Sequence, residues 1–205
     1  MAQFALADEL GDFLGRTLKP EQVPRADVLL QLASAAIQAE ARQQLELVEN
    51  EQAELRGNWS HKLWLPERPV TAVSGITIRH GSIFVNDWVL QENNDYRWDR
   101  LGLVRRVSYI TGRLLAPVSG YWGGDMAVVD VTYSHGFEVI PDDLRGVCLQ
   151  AAARAFSNPI GVEAEAVTNA YSVQYGAHAS GGPVALTESE LKIVRRYRPV
   201  SSSWA

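Results

Sequence analysis

The sequence predicts an α+β fold, with a helical core of about four helices and an inserted small antiparallel β region. Two observations support this prediction: apolar residues follow helical spacing near both ends of the chain, and short alternating runs fill the middle. We expect N-terminal helices in residues 1–58 and the β region in residues 59–135. Further helices should complete the core in residues 136–198, followed by a tail in residues 199–205.

The N-terminal region contains two periodic segments. The first is compatible with a helix that ends at Gly15, and the second begins near Glu21. The polar run at residues 40–55, EARQQLELVENEQAEL, is expected to be a solvated helix extension or a loop. The first apolar stripe consists of Phe4, Leu6, Leu10, Phe13 and Leu14, and the second of Val28, Leu29, Leu32, Ala33, Ala36 and Ile37.

The middle region is rich in tryptophan and β-branched residues. Its alternating runs, separated by Gly, Asn and Asp, predict about five antiparallel strands. Most of its tryptophans lie in these runs, so we expect most of them to be buried. Pro66 and Pro69 favour a stiff entry to an edge strand, because proline cannot donate a ladder hydrogen bond.

The C-terminal region predicts a strongly periodic helix that starts after Pro141. Asp142 and Asp143 would complement the positive end of its dipole. Residues 168–176 could form one more strand, and Thr187 and Glu190 have capping-box spacing at the start of a last helix. The stripe of the long helix consists of Leu144, Val147, Cys148, Ala151, Ala152, Ala155 and Phe156.

Composition and charge exclude several classes of protein. The 205 residues carry a formal net charge of −5, which disfavours a strongly basic nucleic-acid binder. A single cysteine, Cys148, cannot form an internal disulfide, so synthesis in the cytoplasm fits better than secretion. No apolar run approaches the ~18 residues that span a bilayer, so no membrane partner is expected.

Catalytic, metal and cofactor motifs are not recognisable in the sequence. The four histidines have no second His or Cys at metal-ligand spacing, and no glycine-rich loop matches a phosphate-binding motif. His135, before Gly136 at the end of a strand-like run, is the most suggestive residue. It could face a cleft, but a histidine in such a turn commonly bonds only to nearby groups.

The C-terminus carries the candidate interface residues Arg195, Arg196, Tyr197, Arg198 and Trp204. Trp, Tyr and Arg are enriched at the energetic centres of protein interfaces. Because an exposed tryptophan near a terminus is costly, Trp204 should dock on a partner or pack back on its own domain.

The order of these elements resembles the head-to-tail adaptor (connector) proteins of long-tailed bacteriophages, particularly the version with a β-rich insert in phages of actinobacteria. The resemblance extends over nearly the whole chain, and the helical core would then be a connector core. It is carried by folding signatures rather than chemical motifs: residues 68–70 (RPV), 131–136 (VTYSHG), 140–145 (IPDDLR) and 191–198 (LKIVRRYR).

This resemblance implies a structural, non-enzymatic protein of the virion neck, made in the host cytoplasm. It would form a homo-oligomeric ring, commonly of twelve copies, beneath the portal protein. The ring would join the portal to a stopper or tail-completion protein, and DNA would pass through its channel without specific binding. Arg195, Arg196, Arg198 and Trp204 would reach toward the portal.

Three alternatives remain at this stage. A stopper or tail-completion protein would lie on the same axis, one layer further from the capsid. A small hydrolase or carbohydrate-binding module would use His135 and the Trp-rich β region. A DNA-binding assembly factor would show affinity that falls steeply with salt.

Overall fold

A computed structural model describes residues 3–79, 87–107, 121–123, 127–157, 164–167, 171–174 and 184–199. These residues form a mixed α+β structure, as the sequence predicts. The chain divides into two compact units. The helical unit comprises residues 1–43 and 139–198, and the β unit comprises residues 44–138 and 199–205.

The described part of the helical unit contains four α-helices and one β-hairpin. The helices are α1 (Ala7–Phe13), α2 (Val23–Ala41), α3 (Asp142–Ser157) and α4 (Glu188–Val194), and α4 continues into a 3₁₀ turn at Arg195–Tyr197. The hairpin pairs β8 (Ala164–Val167) with β9 (Tyr171–Gln174), and β9 lies where the sequence predicts an additional strand.

Helices α2 and α3 pack through small and aliphatic side chains. All seven residues of the predicted α3 stripe are buried. On α2, the prediction holds only in part, because Val28 is 55% exposed and Leu32 is 47% exposed. The buried face of α2 is instead rotated toward Ala26, Leu29, Leu30, Ala33, Ser34, Ile37 and Ala41.

The helix ends use the predicted signals. Gly15 follows α1 with φ at +67°, a conformation that glycine adopts without a side-chain clash. Asp142 and Asp143 occupy the first turn of α3. At the start of α4, the Glu190 amide donates to Thr187 Oγ1, and the Thr187 amide donates to Glu190 Oε2 at 2.8 Å, which completes the predicted capping box.

The described part of the β unit contains two antiparallel sheets. The four-stranded sheet has the order β1-β7-β3-β4, and the three-stranded sheet has the order β2-β6-β5. The strands are β1 (Val48–Arg56), β2 (Lys62–Trp64), β3 (Val70–Arg79), β4 (Trp88–Leu90), β5 (Tyr96–Trp98), β6 (Leu103–Arg106) and β7 (Val128–His135).

Two sequence predictions about this unit are wrong. The second half of the polar run expected to be a helix extension or a loop, residues 48–55, forms most of β1, whose side chains alternate between exposed and half-buried positions. Strand β3 is an interior strand rather than an edge strand, since it pairs with both β7 and β4. Pro69 is compatible with that position because it lies one residue before the strand begins, where its missing N–H removes no ladder hydrogen bond.

The core of the β unit is made of bulky side chains from both sheets. Trp122, Tyr96 and Tyr133 are almost fully buried, whereas Trp64, Trp88 and Trp98 are half-buried. Trp59 departs from the expected burial and is 73% exposed. The buried cluster comprises Leu63, Leu65, Val70, Val73, Ile76, Ile78, Leu90, Tyr96, Val104, Trp122, Ala127, Val129, Val131 and Tyr133.

Strand β7 ends in a turn that requires glycine. Gly136 has φ at +92°, and a Cβ at this position would collide with the backbone carbonyl of Glu46. Its amide donates to Pro69 O at 2.9 Å. The turn at His135–Gly136 is therefore part of the scaffold, in agreement with the predicted strand and turn.

Candidate partner interface

A buried ion pair holds the C-terminal helix α4 against the rest of the helical unit. Arg154 of α3 donates from both terminal nitrogens to the Glu190 carboxylate, at 2.6 and 2.8 Å. The Arg154 guanidinium also donates to Ala185 O at 3.0 Å. Burial opposes ionisation of Glu190, but the guanidinium and the Thr187 amide outweigh it and hold the pKa of this carboxyl below its ordinary value.

Two of the three C-terminal arginines converge on Glu40, near the end of α2. Arg195 Nε donates to Glu40 Oε1 at 2.8 Å, and Arg198 Nε donates to the Glu40 backbone oxygen at 2.8 Å. A terminal nitrogen of Arg198 also pairs with the Glu40 carboxylate. The hydrogen bond from Arg195 is the main reason that the pKa of Glu40 lies below its ordinary value. Arg195 and Arg198 therefore anchor the end of α4 to α2.

Tyr197 is also used within the helical unit. Its hydroxyl donates to Asp143 Oδ1 at 2.7 Å, and its backbone oxygen accepts from Gln43 Nε2 at 2.5 Å. Burial and the bond to Asp143 raise the pKa of Tyr197 to about 12, so the phenol keeps its proton at neutral pH. Asp143 thus has a second task besides its place in the first turn of α3.

Arg196 is the member of the cluster that makes none of these hydrogen bonds. It is exposed, and it forms no ion pair with any other residue in the described ranges. Trp204 lies outside the described residues. Of the five predicted interface residues, the structure thus brings Arg195, Tyr197 and Arg198 together against the helical unit and leaves Arg196 on its surface.

The role of Glu40 as the anchor of this cluster is not predicted from the sequence. Glu40 begins the acidic run that is expected to be solvated, yet only 22% of its side chain is exposed. A weak signal was present, since a carboxylate close to the C-terminal end of a helix is electrostatically unfavourable without a cationic partner.

His135 lies in the core of the β unit rather than in a cleft. The side chain has no exposed surface, and its Nε2 bonds to the carboxylate of Glu51 on β1. Its ring lies 5.2 Å from the ring of Tyr133, centroid to centroid. A substrate could not reach the His135 imidazole, because this side chain has no exposed surface. The geometry therefore argues against the hydrolase hypothesis.

Cys148 is buried between α3 and α2, and its Sγ lies 3.6 Å from Ser34 Oγ. Burial raises the pKa of this thiol to about 11, which keeps it protonated and unreactive at neutral pH. Among the described residues there is no cluster of three or more His, Cys, Asp or Glu suited to a metal ion. No helix in the same residues is both long and apolar enough to cross a membrane.

Comparison with known proteins finds likeness only in solved structures. No protein-family model matches the sequence, and no curated protein matches it. A chain from the virion of a native gene transfer agent particle is similar with a TM-score of 0.52 and 16% identity, over 98% of this chain and 93% of that one. A chain from the neck of an empty gene transfer agent particle, computed with C6 symmetry, is similar with a TM-score of 0.51 and 15% identity, over the same shares. At this identity the likeness shows a shared fold.

Proposed function

We propose that this protein is a head-to-tail adaptor of a phage-like particle. It forms a ring beneath the portal protein, joins the capsid to the stopper or tail-completion protein and continues the DNA channel. In this role it is a structural virion component of the neck and not an enzyme. The observation that carries the proposal is a fold shared over 98% of the chain with a chain from the neck of a gene transfer agent particle.

The architecture of the chain is compatible with a ring. In a ring, one patch of each subunit meets a different patch of the next subunit. The helical unit, made from the two ends of the chain, would supply the connector core, and the β unit would be the insert. The net charge of −5 suits a channel through which DNA slides, because a basic lining would bind phosphates.

Within this proposal, the surface of the C-terminal segment contacts the portal. Arg196 is the arginine of the cluster available for a partner, while Arg195 and Arg198 position it by fixing the 3₁₀ turn on Glu40. The tail at residues 199–205, with Trp204, would extend this contact.

The proposal is tested by binding of the purified chain to the portal ring encoded beside it, measured by sedimentation of the portal. We expect the full chain to cosediment with the portal, and a chain ending at residue 198 to bind more weakly while keeping its helical circular dichroism. Unchanged binding of the truncated chain would remove the tail from the interface. A full chain that binds the stopper or tail tube but not the portal would instead identify the stopper layer.

A further inference from the structure

Three cations form a row across the three-stranded sheet of the β unit. Lys62 on β2 is directly opposite Arg105 on β6, and Arg105 is directly opposite Arg97 on β5. Residues directly opposite in antiparallel strands have Cβ atoms about 4.5–5.5 Å apart on the same face. The three side chains therefore form one continuous positive strip, here called the basic row.

The basic row is exposed and has no counter-charge in the described ranges. All three side chains are exposed, and none of them takes part in a salt bridge between described residues. Like charges directly opposite each other destabilise a sheet. The opposite face of the same sheet carries Leu63, Val104 and Tyr96, which are core residues, so the fold requires the sheet but not the cations. Such a row indicates an anionic partner.

Two exposed aromatic residues lie near the start of β2, the strand that carries Lys62. Trp59 is 73% exposed and Tyr121 is 38% exposed. The ring of Tyr121 lies 4.4 Å from that of His61, the residue before Lys62. Backbone bonding fixes this arrangement, since the Trp122 amide donates to Ser60 O at 3.1 Å. Exposed Trp and Tyr are residue types that are enriched in protein–protein interfaces.

The same unit carries a surface of opposite charge. Strand β1 is an edge strand that pairs with β7 on one side, and no described residue pairs with its other side. It carries Glu49, Glu51 and Glu54 within nine residues. Glu51 bonds to His135, and Glu54 forms an ion pair with Arg79 of β3 at 2.6 Å, although 68% of the Glu54 side chain is exposed. Glu49 is exposed and forms no salt bridge with another described residue.

We infer that the basic row of one copy binds the acidic edge strand β1 of the neighbouring copy. This inference rests on the proposed ring and adds its lateral contact. Two different, complementary patches on one chain form the heterologous contact that a closed ring requires. A second copy is favoured over nucleic acid because the chain as a whole is acidic, with a net charge of −5, which repels phosphate.

A charge-exchange experiment tests this contact on the portal ring. R97E/R105E makes the row acidic, and E49K/E54K makes β1 basic. K19E/R100E is the control for R97E/R105E, because it makes the same change of charge at exposed residues outside both patches. The measurement is the number of copies bound to each portal as the chain is titrated, with circular dichroism to check the fold. Lateral contacts should make binding of the unaltered chain and of the control cooperative.

We expect each exchanged variant to bind portals singly and to need about tenfold more chain for saturation, because like charges then meet at the contact. An equimolar mixture of R97E/R105E and E49K/E54K should regain cooperative binding, since each variant then presents charges opposite to those of the other. Raising the salt concentration should weaken the cooperativity of the unaltered chain.

Unchanged cooperativity of R97E/R105E, or a mixture that fails to recover, would overturn the lateral contact while leaving the adaptor proposal intact. Loss of affinity for duplex DNA in R97E/R105E with unchanged cooperativity would also overturn it and would assign the row to nucleic acid. Failure of the unaltered chain to bind the portal would reject the adaptor proposal and this contact with it.

Discussion

The helical unit and the β unit bury different kinds of side chain. Helix α3 packs largely through small residues, with Ala151, Ala152 and Ala155 buried in a row. The β unit instead fills its core with large aromatic residues, including Trp122, Tyr96 and Tyr133. Small residues let helices approach closely and leave little space for additional atoms, whereas a large buried ring leaves a cavity when it is removed. The two units should therefore be sensitive to opposite changes in volume.

The largest expected effect is loss of a large side chain from the β unit. Trp122→Ala removes a fully buried ring and the bond from Nε1 to His61 O at 3.1 Å. We expect a loss of about 3–5 kcal/mol in the free energy of unfolding, measured by urea unfolding with far-ultraviolet circular dichroism. Trp59→Ala, at an exposed position, is the matched control and should change stability by less than about 0.5 kcal/mol. Equal effects of both changes would contradict the assigned core.

The next effect concerns the ion pair in the helical unit. Glu190→Gln leaves the Arg154 guanidinium without its carboxylate, and 33% of the Arg154 side chain is exposed. We expect a loss of about 3 kcal/mol at pH 7, at the lower end for a broken buried pair, because water still reaches the arginine. Urea unfolding at several pH values measures this loss.

The pH dependence of this effect follows from the lowered pKa of Glu190 in the folded protein. The contribution is present above the ordinary carboxyl value of 4.5 and is lost as the pH falls through the lower folded value. The difference between the unaltered chain and Glu190→Gln should therefore shrink below about pH 4.5. A difference that stays constant down to pH 3 would show that ionisation of Glu190 is not the source.

The smallest of the three expected effects comes from adding side-chain volume to the core of the helical unit. Ala152 is fully buried on α3, so Ala152→Leu should cost about 1–3 kcal/mol through overpacking. Gln150→Leu introduces the same side chain at an exposed position of the same helix and should be nearly neutral. Thermal unfolding of both variants measures the contrast. A neutral Ala152→Leu would mean that α3 does not pack closely there.

Predictability also differs between the two units. The α3 stripe and the Thr187–Glu190 capping box depend on residues three or four positions apart, and the structure confirms both. Strand β1 and the interior position of β3 depend on pairing with β7, which is distant in sequence, and both were predicted wrongly. The basic row was not predicted for the same reason, because only the strand register brings Lys62, Arg97 and Arg105 together.

The C-terminal site was predictable by residue type but not by contact. The cluster of arginines with Tyr197 was visible in the sequence. Arg195 and Arg198 anchor the cluster through Glu40, whereas Arg196 remains available for a partner. Glu40 lies 155 positions from Arg195 in the sequence. No local pattern carries such a pairing, so the sequence could not distinguish Arg196 from its neighbours.

The most direct test of the adaptor proposal is the particle mass of the portal ring, measured alone and after mixing with this chain. The account predicts an increase equal to several copies of the 22.6 kDa chain, together with an additional ring in projection images. A portal whose mass does not change, with the chain remaining monomeric, would contradict it.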